Sequence, residues 1–404
     1  MAEFATGIFK GNNGTESAEE AVKNAKEKLE NKDIKFSIVI SSSEYNYQEV
    51  LETVERETGN SKIIGSSSLG EFTEEGPKKG SVAVGLVSGD EISFYSGMGK
   101  NFTEKPEEAI DKAVNQLPEK VDNPENSTIL NFHDGLAGNG TQAVWNTVGA
   151  LNQNIKMAGG SAADDFKLQE TMVFKDKKAE TDAIVLGMIT SDKPFKISVA
   201  HGHKPVTPPL EITKAEGNII HELNNKPAIK EWKKHIKEDA RENMGIDVED
   251  AVEGSKELSI LIAMYEFGSK VKKWKGKGDE SGYKVRWPGL TNNTDGAMYL
   301  TCDINEGSSI HIMKGPKEEQ LKAARRAAKT AKENMEDDIA GALVFECGVR
   351  ATILGDDFYK AVEAVKDEID APILGFETYG EVCVEENQMS GFHNTTTVVM
   401  LIPK

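Results

Sequence analysis

Two far-separated stretches of this 404-residue chain carry the same punctuation, Ile64-Gly65-x4-Gly70-Glu71 and Leu374-Gly375-x4-Gly380-Glu381. Each follows an apolar, β-branched run, Phe36–Ser41 in one case and Gly341–Phe345 in the other. Between run and glycine lies a helix-period segment, with Val50, Leu51 and Val54 in Tyr47–Thr58, and Phe358, Ala361, Val362 and Val365 in Asp356–Ile369. A further apolar strand closes each copy, Ser81–Val87 and Thr396–Ile402. A looser third copy runs through Ser127–Phe132, the helix Thr141–Leu151, Met157–Gly160, and the strands Thr171–Phe174 and Ala183–Met188. Repetition of this kind predicts duplicated strand-helix-strand-strand units in two halves. The fold class is α/β, with mixed β-sheets flanked by helices that bury their central strands on both faces.

The densest proline cluster, Pro205–Pro209, divides the halves. Residues 1–33 read as a lead-in, 34–200 as the first domain and 201–404 as the second. Within the second, Ala215–Leu223 and Ala228–Ile236 are predicted as short helices, and Glu257–Glu266 as a long apolar strand. The Lys- and Gly-rich Phe267–Gly289 is predicted as an exposed hairpin or loop. Met298–Asp303 and Ser309–Met313 complete an antiparallel set, and Lys317–Met335 is a long amphipathic helix.

A net charge of −19 opposes nucleic acid and anionic membrane as partners, because the summed field repels polyanions. No run approaches the roughly 18 apolar residues of a membrane span. Three cysteines without a C-x-x-C pair give neither a disulfide framework nor a zinc motif, so a reducing cytoplasm is the expected compartment.

Catalytic signatures fail one after another. Gly65–Gly70 has P-loop glycines, but Glu71 stands where the lysine belongs. Gly138-x-Gly140-x-x-Ala143 is separated from its strand, which weakens a dinucleotide reading. Gly65-Ser66-Ser67-Ser68-Leu69 lacks the final glycine of a nucleophile elbow. Cys347, close to Arg350, is the candidate nucleophile, set against inert packing. His201-Gly202-His203 puts two rings on one face of a strand with no third metal ligand evident.

In order, these pieces resemble the FIST family. The hallmarks are Ile64–Glu71, the Asp134-Gly135 turn, Gly159–Asp165, Thr171–Phe174, Ile212–Asn218, Asp295-Gly296, Leu343–Arg350, Leu374–Glu381 and His393–Thr396. The resemblance implies a non-catalytic intracellular sensor of a small ligand such as an amino acid, with no cofactor required. Both family regions use up the chain, so output passes to a separate histidine kinase, chemotaxis receptor or cyclic-dinucleotide enzyme. The expected ligand residues are Gly159, Gly160, Asp164, Arg350, Glu377, Glu381, His393 and Asn394. Arg350 would anchor a carboxylate, and Glu381 or Asp164 would receive an ammonium group. The alternative is a haem-binding nitric-oxide sensor, with His393 or His201 as axial ligand.

Overall fold

The three apolar runs become the central strands of three sheets in a computed structural model that describes residues 1–151, 154–271, 282–289, 291 and 295–404. In the first sheet Ile34–Ser42 lies parallel to Lys62–Ser68, with Val82–Ser88 antiparallel on its other side and Glu3–Phe9 beyond. Ser127–His133 and Lys156–Ser161 form the parallel pair of the second sheet, flanked by Ala183–Thr190 and Ser93–Lys100. The third pairs Ile339–Cys347 with Ile373–Thr378, flanked by Thr397–Pro403 and Lys196–Ala200. Side chains alternate along each strand, so every sheet has two apolar faces. One face carries helices: Val39 and Ile63 meet Ala21, Val22, Val50 and Val54. The other faces meet at a shared core that includes Ile38, Ile64, Leu130, Phe132, Phe345 and Phe376.

The units are interlocked in a ring. The hairpin Glu71–Thr73/Gly76–Lys78 leaves the first unit and pairs with Ile373–Thr378 of the third. Val173–Lys175/Lys178–Glu180 leaves the second and pairs with Lys62–Ser68 of the first. Glu381–Val384/Gly391–His393 leaves the third and pairs with Lys156–Ser161 of the second. Three sheets of identical strand order therefore each end on an arm donated by a neighbour. The expected α/β class with duplicated units is what the structure has. The first 33 residues, read as a lead-in, supply the strand Glu3–Phe9 and the helix Gly14–Lys28 to the first sheet.

Between Lys196–Ala200 and the helix Lys317–Glu333 lies a fourth sheet with its own core around Trp232, Leu261, Tyr265, Phe267 and Ile312. Several predicted elements are corrected here. Ala215–Leu223 is not a helix; Leu210–Glu216 and Ile219–Leu223 form a hairpin across Gly217-Asn218, with Gly217 at φ 56°. Ala228–Met244 is one longer helix. The apolar run read as a strand over Glu257–Glu266 is instead the helix Lys256–Met264, followed by the strand Tyr265–Lys270. Ser255 starts that helix by accepting from Leu258 N at 3.0 Å, a cap that outweighs the β-branched composition. Tyr265–Lys270 pairs with Tyr283–Arg286, while residues 272–281 of the basic stretch lie outside the described residues.

Candidate functional site

The glycine corners are packing devices. A Cβ at Gly65 would sit 1.8 Å from Val39 O, and one at Gly159 2.0 Å from Asn131 O, so parallel strands touch at these points. Gly160 faces Thr378 in the same way, at 2.6 Å. Both Gly159 and Gly160 are interior to the seam with Glu381–Val384 and line none of the four principal cavities among the described residues.

The charged candidates are likewise committed. Glu381 is fully buried and accepts from Thr378 Oγ1 at 2.7 Å, Thr396 N at 3.1 Å and Thr396 Oγ1 at 2.9 Å. Desolvation pushes its carboxyl up to about 8, which makes it a neutral clamp rather than a receptor for ammonium. Burial likewise raises Glu377 to about 7, and its Oε2 has no partner among the described residues. Asp164 accepts Leu168 N at 3.0 Å, Gln169 N at 2.7 Å, Glu170 N at 3.0 Å and Tyr379 Oη at 2.6 Å, and so pins the following loop. Arg350 does not anchor an open site: it is wholly buried, donating to Glu346 at 2.6 Å and to both the side chain and the carbonyl of Gln320. Asn394 accepts from Thr301 Oγ1 at 2.9 Å.

Both ring nitrogens of His201 are used, Nε2 facing Tyr283 O at 2.8 Å and Nδ1 accepting from His203 N at 3.1 Å. His393 is buried with neither ring nitrogen partnered among the described residues, and desolvation holds it neutral. Cys347 is buried, and desolvation, then Glu381 and Glu266, raise its thiol well above the ordinary range, the reverse of an activated nucleophile. Among the described residues no group of three His, Cys, Asp or Glu side chains is arranged to hold a metal. Among the described residues no helix is long and apolar enough to cross a membrane.

One cavity combines an apolar lining with convergent polar groups, the usual character of a ligand site. It measures about 360 Å³ and lies where the second sheet, the arm of the third unit and the fourth sheet meet. The strand end His133, the turn Asp134–Leu136 and the helix start Gly140 form one wall, and Ser161 and Leu168 another. Trp287, Leu300, Tyr379 and Phe392 close it from the C-terminal half. Asn131 Nδ2 donates to Ala143 O at 3.0 Å, which turns its Oδ1 toward His133 Nδ1 at 2.9 Å. That Nδ1 therefore carries the proton, and bare Nε2 accepts from Ser161 Oγ at 2.8 Å. Burial presses the imidazole down to about 4, so it is neutral in ordinary conditions. Asp134 has both oxygens occupied, by Leu136 N, Thr171 Oγ1, Thr181 Oγ1 and Asp182 N. A larger groove of about 650 Å³ is bordered by Asp90, Glu91, Asp122 and Asp192, with no comparable convergence of buried groups.

Of the residues expected from the sequence, Asp164 and Asn394 support this cavity through Tyr379 and Thr301, while Arg350, Glu381 and His393 do not line it. Ser161 and Tyr379 sit inside the quoted motifs, and His133 ends a recognised strand. Trp287, Leu300 and Phe392 come from segments that no sequence pattern joined to them.

Three interlocked units and a fourth sheet thus frame the seam cavity. Residues 35–226 match the FIST N domain and residues 242–384 the FIST C domain. The chain belongs to the FIST family. It is similar to uncharacterized protein MJ1623 of Methanocaldococcus jannaschii, 24% identical over 265 residues, which is 61% of this chain. The match covers 48% of MJ1623, so the chain spans about half the length of that relative. Among solved structures it is similar to a cyanuric acid hydrolase described as an evolutionary innovation by structural concatenation, at TM-score 0.35, 7% identity and 99% coverage of both chains. A second, cyanuric acid hydrolase from A. caulinodans, scores 0.31 at 8% identity, covering 100% of this chain and 99% of its own. Likeness at that level carries no functional inference.

Proposed function

We propose that the chain is a sensor whose small ligand enters the seam cavity and whose occupancy is relayed to a separate signalling protein. The observation that carries this is the lining itself: His133, Ser161 and Leu168 from the FIST N region face Trp287, Leu300 and Tyr379 from the FIST C region. A molecule seated there touches both. It shifts their relative population of open and closed arrangements only if it binds one more tightly than the other. The relay partner is of the histidine kinase, chemotaxis receptor or cyclic-dinucleotide enzyme kind, in a reducing cytoplasm that suits three buried, unpaired cysteines.

An amino-acid ligand would bring a carboxylate, and no Lys or Arg is among the described lining residues. Haem would need an axial nitrogen beside a hollow; His393 offers the nitrogen but lines none of the four principal cavities. The described residues around His393 therefore do not fit that group.

The test is a thermal-shift screen of metabolites against the wild type and Leu136→Trp, which enlarges a half-exposed wall residue and spares the core. Ligands of the seam raise the wild-type midpoint by binding the native state and lose that effect in the variant. Hits that stabilise both proteins equally would place the site elsewhere.

A further inference from the structure

Resting on that reading of the cavity, we infer that its ligand is an uncharged, flat ring compound that sits among aromatic side chains and presents a hydrogen-bond donor to Ser161 Oγ. Charge is decided first. Among the described residues the lining offers no Lys or Arg, and its one carboxylate there, Asp134, is saturated by four donors. A buried anion would lack a counter-charge, and a buried cation would lack a free acceptor of opposite sign; either costs more than a neutral ligand.

Shape follows from the rings. Trp287, Tyr379, Phe392 and the neutral His133 surround the space, with His133 and Phe392 centroids 5.9 Å apart and tilted by 60°. Aromatic walls favour stacking and edge contacts with another ring.

Polarity is set by which hydrogens are already spent. Ser161 gives its proton to His133 Nε2, because Asn131 fixes the imidazole proton on Nδ1, so Ser161, a lining residue, is left with its Oγ as an acceptor. The Tyr379 and Thr301 hydroxyls donate to Asp164 and Asn394, and the Asn218 amide to Leu300 O. The ligand is therefore a ring that fits these walls and carries a donor for Ser161. A ring amide or a carboxamide-bearing heterocycle meets both requirements.

Nicotinamide and nicotinate make the direct probe pair, since they share a ring and differ in charge. Ligand-detected NMR titration of the full chain at millimolar concentrations is expected to show nicotinamide binding roughly tenfold more tightly than nicotinate. Ser161→Ala and Trp287→Ala, which remove the acceptor and a ring wall, should each weaken nicotinamide several-fold. Nicotinate binding equally or better, or no binding of either probe, overturns the ligand class while leaving the cavity reading intact. Nicotinamide binding unchanged by Leu136→Trp overturns the cavity reading itself.

Discussion

Glu71 and Glu381 are held by the same three contacts in different units of the fold. Each accepts a hydroxyl from three residues before it, Ser68 or Thr378, and the backbone N–H and hydroxyl of one residue on the returning chain, Ser81 or Thr396. The N–H contact is 3.1 Å in both. Desolvation raises both carboxyls from 4.5 to about 8.

A pH dependence follows. The unfolded chain loses these protons near 4.5 while the folded chain keeps them to about 8. Their stabilising effect is full below 4.5 and disappears as pH rises to about 8. His133 and His393 act in the opposite sense, since their lowered values cost stability as pH falls below 6.5. Comparison with a Glu71→Gln/Glu381→Gln variant, which shares those histidines, isolates the carboxyls. Denaturant unfolding at about pH 5 and about pH 8 should show the wild type losing more stability across the interval than the variant. Parallel curves would remove the assignment.

Arg350 is a structural cation. Arg350→Met leaves Glu346 buried without its partner and is expected to cost about 3–5 kcal/mol in urea unfolding. Adding Glu346→Gln should recover part of the loss, because the second change removes the stranded charge. A single variant that unfolds like the wild type would count against this role.

Asp164 should govern the loop beside the cavity. That loop holds Asp165, Phe166 and Leu168 at φ 56°, 59° and 52°, a region that bulky side chains disfavour. Three backbone N–H groups on one carboxylate hold it there. Asp164→Ala is expected to increase chymotryptic cleavage after Phe166, which is already 45% exposed, while the global unfolding midpoint falls by less than it does in Arg350→Met. Unchanged cleavage would show that other contacts hold the loop.

The strands and the repeat were legible because β-branched runs and glycine corners are local signals. Phe36–Ser41 and Thr396–Ile402 needed no tertiary context to be read. Glu257–Glu266 reads as a strand because Ile260–Met264 is an unbroken apolar run too short to show a helical period. The ring of exchanged arms was invisible: nothing in Glu71–Lys78 indicates that it pairs with Ile373–Thr378 instead of its own unit. The site was legible only in fragments. Arg350 and Glu381, charged residues near glycines, are satisfied by neighbours, whereas the cavity is walled by Trp287, from a stretch that reads as an exposed loop, and by Leu300 and Phe392, which lie in no quoted motif.

Hydrogen–deuterium exchange, with and without a ligand that raises the melting temperature, tests most directly whether the seam is where a ligand sits. Peptides carrying residues 133–140 and 161–168 should gain protection together with the peptide carrying Tyr379, since all three border one cavity. Protection confined to one FIST region, or appearing only away from these segments, would contradict a shared site.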